Sequence, residues 1–251
     1  MSNVTKTQGL MRAMRLVESA NELPEFIKVA EKQQLSYTQF LLQVMEYEKK
    51  RREEKVIEKY LKWANFPIQQ TLDSFSLTDQ PTIKTKQFNQ LKDLGWLDQL
   101  YNLILLGPSG VGKTHIAIGL GIKAVQEGYR VTFVTMAEVI QLLKTEEISR
   151  KSQIRLKRLR ESNLVIIDDL MFIAMDRREA NLLFHLINHL YNAASVIITS
   201  NKGPSEWGEL LGDPAIAAAI MDRLVHRSEV IQLKGDSYRV KHRTSIFEEY
   251  E

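Results

Sequence analysis

Hydrophobic residues recur in two different periods along this chain, and the change falls near residue 100. Beyond it, short continuous apolar runs alternate with stretches of helical spacing. The runs lie at 101–106, 130–135, 164–169, 194–200 and 229–233. Each has the length of a strand buried on both faces, and 130–135 is rich in β-branched residues. Between them Ile116, Leu120 and Ala124 mark one helical face up to Gly128, residues 137–144 read as a second helix, and 178–191 as a strongly amphipathic third. Residues 207–224 read as mostly helical, broken at Gly212-Asp213-Pro214. Strands alternating with helices predict an α/β domain, a parallel sheet with helices on both faces.

The first 66 residues lack such runs and predict a small all-helical domain. Leu10, Met11, Met14 and Val17 form one stripe, and Leu23-Pro24 predicts a restart with proline in a first helical turn. Phe26, Ile27 and Ala30 continue the apolar face. Ser36 and Gln39 have capping-box spacing and open a longer helix through Phe40, Leu41, Val44 and Met45. Its middle is nearly all charge, with Glu46–Lys50 and Glu48–Arg52 at i,i+4, before Val56, Ile57, Tyr60, Leu61 and Trp63 resume an apolar face. That middle reads as a solvated, ion-paired helix or as a surface against DNA phosphates or a partner subunit. Residues 67–100 are irregular. Their Leu72, Phe75, Leu77, Phe88, Leu91, Leu94 and Trp96 are either core or the wall of a site in the next domain. The expected division is therefore 1–66 and 67–251.

Composition narrows the class only a little. At 44% hydrophobic and 26% charged the 251-residue chain is ordinary for a water-soluble domain pair. It has no cysteine, which excludes disulfides and thiolate metal sites and suits a cytoplasmic location. No apolar run has the length of a membrane span. The net charge of +3 proves nothing about nucleic acid, but its distribution is uneven. Arg150, Lys151, Arg155, Lys157, Arg158 and Arg160 fall within eleven residues, spaced by Ile154, Leu156 and Leu159. A helix here would bury the apolar edge and show cations on the other side, as a solubilising face or as a DNA-phosphate contact with Lys49 to Arg52 as a weaker contributor.

The chemistry centres on Gly107-Pro108-Ser109-Gly110-Val111-Gly112-Lys113-Thr114, which fits the phosphate-loop pattern G-x-x-x-x-G-K-S/T between a predicted strand and a predicted helix. Glycines there let backbone N–H groups surround phosphate oxygens at the positive end of a helix. Lys113 would reach the β- and γ-phosphates and Thr114 would offer its hydroxyl to Mg²⁺. A later apolar strand ends in Asp168-Asp169, where Asp168 would hold Mg²⁺ through water and Asp169 would reach the attacking water. Asn201 closes the next strand, where its amide would bridge that water and the γ-phosphate; asparagine is also a default turn residue. Arg223 is a candidate arginine finger supplied in trans, or a structural or surface arginine.

Taken in order, Gly107 to Thr114, the strand ending in Asp168-Asp169, the strand ending in Asn201, Asp222-Arg223-Leu224 and Gly235-Asp236-Ser237-Tyr238-Arg239 resemble the AAA+ ATPases of the initiator and helicase-loader group. Within that group the chain resembles the IstB-type ATP-binding helpers of insertion-sequence transposition, related to the DnaC helicase loader. The resemblance covers nearly the whole chain. It implies a P-loop AAA+ sheet behind a helical N-terminal domain, ATP and Mg²⁺ as cofactors, and hydrolysis of ATP to ADP and phosphate. It gives Lys113 to phosphate, Thr114 and Asp168 to Mg²⁺, Asn201 the sensor-one place, Arg223 the trans-acting place, and Arg239 the group's terminal motif beside the nucleotide. Asp169 departs from the glutamate of most AAA+ proteins and has a shorter reach. The stretch after Leu233 leaves no room for a full C-terminal helical lid. The partners implied are double-stranded DNA held mainly by its backbone, a homo-oligomer on that DNA, and a transposase. A DnaC-like helicase loader is the alternative within the fold; a small-molecule P-loop kinase and a DNA scaffold that binds ATP and barely hydrolyses it are alternatives of other classes.

Overall fold

A computed structural model of the chain describes residues 2–170, 175–203, 206–207 and 213–241. The chain divides into two compact units, Met1–Lys59 and Tyr60–Glu251. The division falls inside a long helix, whereas the expected boundary at residue 66 lies just after it.

The first unit is built from α1 (Asn3–Ala13), α2 (Val17–Gln33) and α3 (Tyr37–Ala64), the last running on past the division. Met11, Ala20, Leu23, Phe26 and Val44 form its core, with Phe26 and Tyr47 edge to face at 5.1 Å. The expected restart at Leu23-Pro24 does not occur, because α2 runs straight through Pro24. A proline inside a helix strips the carbonyl four residues earlier of its donor and costs about 3 kcal/mol. That carbonyl belongs to Ala20, and the side-chain amide of Gln8 on α1 donates to it at 2.8 Å. The capping box at the start of α3 forms as spaced: Ser36 N–H donates to Gln39 Oε1 at 2.9 Å, and Gln39 N–H donates to Ser36 Oγ at 3.3 Å.

The charged middle of α3 is not simply solvated. Glu48 is only 4% exposed. Leu16, at the N-cap of α2, has no side-chain bond to offer, and Glu48 does that work from α3 by accepting the Ser19 N–H at 2.7 Å. It also accepts from Arg52 Nε at 2.9 Å. Burial pushes the Glu48 carboxyl up, but the Ser19 bonds and Arg52 together hold it below its ordinary value of 4.5. A carboxyl lowered by folding stabilises the fold above its unfolded pKa, and that contribution disappears as pH falls through the folded value. Glu48→Ala leaves a buried N–H without an acceptor, so it is expected to cost about 1–3 kcal/mol. Amide hydrogen exchange at Ala20, Leu23 and Phe26 checks this: it should accelerate at neutral pH, with the gap between variant and wild type closing below pH 4.5. Lys49 pairs with Glu53, Arg51 with Glu54 and Arg52 with Glu48. The cations expected to assist DNA binding are therefore largely matched within their own helix.

In the second unit a 3-10 turn (Leu72–Ser74), α4 (Thr85–Lys92) and α5 (Gly95–Asp98) lead into the sheet. Its strands are β1 (Asn102–Leu106), β2 (Val131–Thr135), β3 (Leu164–Asp168), β4 (Ser195–Ser200) and β5 (Ser228–Gln232). All pair in parallel, in the order β2-β3-β4-β1-β5. The connecting helices are α6 (Lys113–Gln126), α7 (Met136–Lys144), α8 (Arg150–Arg160), α9 (Arg177–Leu190) and α10 (Pro214–His226), and α11 (Tyr238–Lys241) follows β5. Alternate residues serve opposite faces: Val165 and Ile167 join the core beneath α7 to α10, while Ile166 meets α6 at Gly121. The sheet is thus covered on both sides, as its unbroken apolar strands require. Asp213 caps α10, and Pro214 occupies its first turn, where a missing N–H costs nothing. The part of the expected helical stretch that follows the break is α10, starting at Pro214, while residues 208–212 lie outside the described residues. On α8 Leu156 and Leu159 are fully buried, but Ile154 is 47% exposed and does not belong to the buried edge expected of it. Among the described residues no helix is long and apolar enough to cross a membrane.

Candidate functional site

The loop from Gly107 to Gly112 joins β1 to α6 at the carboxyl end of the sheet. Gly110 and Gly112 have φ of +85° and +99°, where a side chain is strained. They are also crowded. A Cβ on Gly110 would stand 2.1 Å from Ser237 Oγ, and one on Gly112 would stand 2.7 Å from the Phe75 ring. Val111 is buried and anchors the loop, while Pro108 and Ser109 are exposed. The buried Gln80 donates to the Val111 carbonyl at 3.0 Å, and Tyr238 N–H donates to the Gly110 carbonyl at 3.0 Å. Two distant segments thus brace the loop. Lys113 folds its ammonium back onto the Gly107 and Pro108 carbonyls at 2.7 and 2.8 Å. Burial lowers its pKa; Asp169 and Asp168 counter that, and Arg239 adds to it.

A cleft of about 480 Å³ opens beside this loop. Phe75 and Gln80 line it together with Tyr238, Arg239 and Lys241 of α11. Phe75 is held by a stack on Phe88 at 5.7 Å and by an edge contact with His115 at 5.3 Å. His115 in turn hydrogen-bonds the Thr71 carbonyl at 3.0 Å, so the irregular segment before β1 is tied to the first turn of α6. Its apolar residues divide between the two readings: Leu72, Phe88, Leu91 and Leu94 are core, and Phe75 walls the cleft.

The acidic pair stands at the end of β3. β4 lies between β3 and β1, so the pair and the loop sit on either side of one strand. Asp168 Oδ1 accepts from Thr114 Oγ1 at 2.9 Å and from Thr199 Oγ1 at 2.6 Å. Asp169 adopts φ +63°, and its N–H donates to the same Thr199 hydroxyl at 2.9 Å. Partial desolvation pushes the Asp169 carboxyl above its ordinary value, Asp168 pushes it further, and Lys113 offsets part of the rise. The sequence pattern did not single out Thr199, Gln80 or His115. Thr199 had one signal, since it lies at the end of the strand that leads into Asn201.

Asn201 follows β4 and is exposed, one residue beyond Ser200, whose carbonyl takes the Gly107 N–H at 3.1 Å. Arg239 shares the cleft with the loop, on a four-residue helix where no lid was expected. Arg223 is not among the residues lining that cleft. It lies along α9, donating to Asn188 Oδ1 at 2.8 Å, with its guanidinium 4.8 Å above the Phe184 ring.

The basic run does not present all its cations on one open face. Arg155 has a side chain only 12% exposed, pairs with Glu138 at 3.1 Å, and also bonds the Phe133 carbonyl. Arg160 makes two bonds to Glu146, at 2.5 and 3.0 Å. Neither charge is free for a phosphate, because carboxylates outside the run neutralise them. Arg150, Lys151 and Lys157 are exposed, and Arg158 lies over the Trp63 ring at 5.4 Å.

The glycine cradle, the lysine and threonine at the helix start and the paired carboxylates fit a nucleotide with its phosphates on the loop. Comparison with known proteins agrees. The model of the IstB-like ATP binding protein family matches residues 9–246. The IS21 putative ATP-binding protein of Pseudomonas aeruginosa is 38% identical over 232 residues, covering 92% of this chain and 88% of its own. The corresponding IS5376 protein of Geobacillus stearothermophilus is 35% identical, covering 82% of each. Among solved structures, DnaI matches with a TM-score of 0.56 at 18% identity over 67% of this chain and 90% of its own. The DnaC helicase loader matches at 0.52 and 19%, over 65% and 96%. At such identities the structural likeness speaks for the AAA+ fold alone. The family match spans both units and the loop, and the chain belongs to the IstB-like ATP binding protein family.

Proposed function

We propose that this chain hydrolyses ATP with Mg²⁺, assembles as a homo-oligomer on double-stranded DNA, and hands that DNA to a transposase, hydrolysis releasing the assembly. One observation carries the enzymatic part: of the two carboxylates at the end of β3, Asp168 accepts a hydrogen bond from Thr114 at the start of the loop helix, and Asp169 stands next to it. The second carboxylate is what a site that orients an attacking water requires. Thr114 and Asp168 would hold the cation, which would supply charge neutralisation to the phosphates. Among the described residues no three His, Asp or Glu side chains are grouped to hold a metal unaided, so its other oxygens would come from phosphate and water. Lys113 exchanges its loop carbonyls for phosphate oxygens. Asp169 orients the attacking water, and Asn201 bridges it to the γ-phosphate. Arg239 stabilises phosphate from α11. Arg223, held on α10 by Asn188 and the Phe184 ring, would act in the site of a neighbouring subunit.

The relatives' names, ATP-binding proteins of insertion sequences, support transposition as the setting. The likeness to the DnaC loader keeps a replicative helicase as the second reading. Co-purification with the transposase encoded beside the gene, against co-purification with the replicative helicase, separates the two. A small-molecule kinase would make an acceptor substrate speed ATP turnover, whereas this reading expects DNA to do so.

DNA contact would fall to Arg150, Lys151, Lys157 and Arg158, to phosphates rather than bases. Changing Arg150, Lys151 and Lys157 together to alanine is expected to weaken duplex binding at low salt and to flatten the log–log salt dependence by about 0.9 per lost contact. Arg155→Ala is the contrasting variant, since it removes the partner of Glu138 and should lower stability instead. Binding isotherms across a salt series read the slope, and an unchanged slope in the triple variant refutes this surface.

A further inference from the structure

We propose that Thr199 is a positioning residue that makes one unit of the two carboxylates, setting the angle at which Asp169 meets the water. The inference rests on the roles given above to Asp168 and Asp169. A hydroxyl has one proton and two lone pairs. The Thr199 oxygen accepts the Asp169 N–H at 2.9 Å, so its single proton is free to go to Asp168 Oδ1 at 2.6 Å. The Thr199 carbonyl also accepts the Leu170 N–H at 3.1 Å. One residue therefore clamps the backbone on both sides of Asp169, which sits at φ +63°, a region that costs a non-glycine residue energy. The clamp is rigid. Thr199 is 1% exposed, β-branched, and in a strand paired on both sides, by β1 and by β3. Without the hydroxyl, the Asp169 turn would keep the Leu170–Thr199 backbone bond but lose the bond to its own N–H, and among the described residues Asp168 would keep Thr114 as its donor. β4 also leads directly into Asn201, so the strand that precedes the amide sets the acidic pair.

The test compares Thr199→Val, which keeps the shape and removes the hydroxyl, with Thr199→Ser, which restores it. Two readouts are used: the Mg²⁺ concentration that half-saturates the added affinity for a fluorescent ATP analogue, and kcat and KM for ATP. For Thr199→Val the half-saturating Mg²⁺ should rise, and kcat should fall, each by about 10- to 100-fold, as when a partner of a metal-binding side chain is lost. Metal-free binding of the analogue and KM should barely move, and serine should recover most of both losses. A valine variant equal to wild type in Mg²⁺ dependence and in kcat overturns the proposal. So does a serine variant as impaired as valine, since packing would then be the cause. Should the valine variant fail to fold, serine against alanine gives the same comparison, and equal values there overturn it. If wild type shows Mg²⁺-dependent binding and no turnover, the hydrolytic reading fails while the Mg²⁺ arm still decides on Thr199.

Discussion

Asp169→Asn is expected to leave the chain folded and able to bind ATP while turnover falls about a hundred- to a thousandfold, the usual loss for one positioned transition-state contact. Asparagine is the informative replacement because Asp169 stands at φ +63°. Asn tolerates that left-handed turn nearly as well as Asp does, whereas alanine would add backbone strain to the chemical loss. The ligand-free variant should melt no lower than wild type. Burial and Asp168 both raise the Asp169 carboxyl, so its charge works against the fold and its removal relieves repulsion. Lys113→Ala should behave oppositely and lose ATP binding itself, because Lys113 is the ammonium at the mouth of the loop. Equilibrium binding of labelled ATP beside steady-state phosphate release separates the two. Full-rate turnover by Asp169→Asn would remove the water-orienting role.

The second large effect is expected at Arg223. An arginine finger contributes about a thousandfold or more to turnover, and one supplied in trans acts only in an assembly. Wild-type activity per subunit should therefore climb with protein concentration and with DNA, and Arg223→Ala should abolish the climb without weakening nucleotide binding. Arg223 also holds local contacts, to Asn188 and over Phe184, and losing the cation–π contact should cost only about 0.5–1 kcal/mol. Unchanged circular dichroism would show that this structural share is small. Mixing Arg223→Ala with Asp169→Asn decides between chains. A finger from the second protein meets an intact acidic pair in the first, so activity should return in the mixture. No recovery, with both proteins folded, would make Arg223 a structural residue of α9 and α10.

What could be read from the sequence was local. The loop from Gly107 to Thr114 is contiguous, the strands declare themselves by unbroken apolar runs, and Asp168-Asp169 sits where a strand stops. The backbone period and the motif are properties of neighbouring residues, so no tertiary knowledge was needed to predict a parallel sheet with a phosphate loop at its end. The tertiary structure decided whatever depends on residues far apart. Pro24 reads as a break, yet a glutamine on another helix satisfies the carbonyl it orphans. The cations of α8 read as a free face, yet Glu138 and Glu146 claim Arg155 and Arg160. Arg239 reads as a motif without a lid to carry it, yet α11 brings it into the cleft. Thr199 is one more β-branched residue in a strand until β3 and β4 pair and bring its hydroxyl to the Asp168 carboxylate and the Asp169 N–H. A hydrogen bond has a range of about 3 Å, and only the folded chain determines which groups come within it.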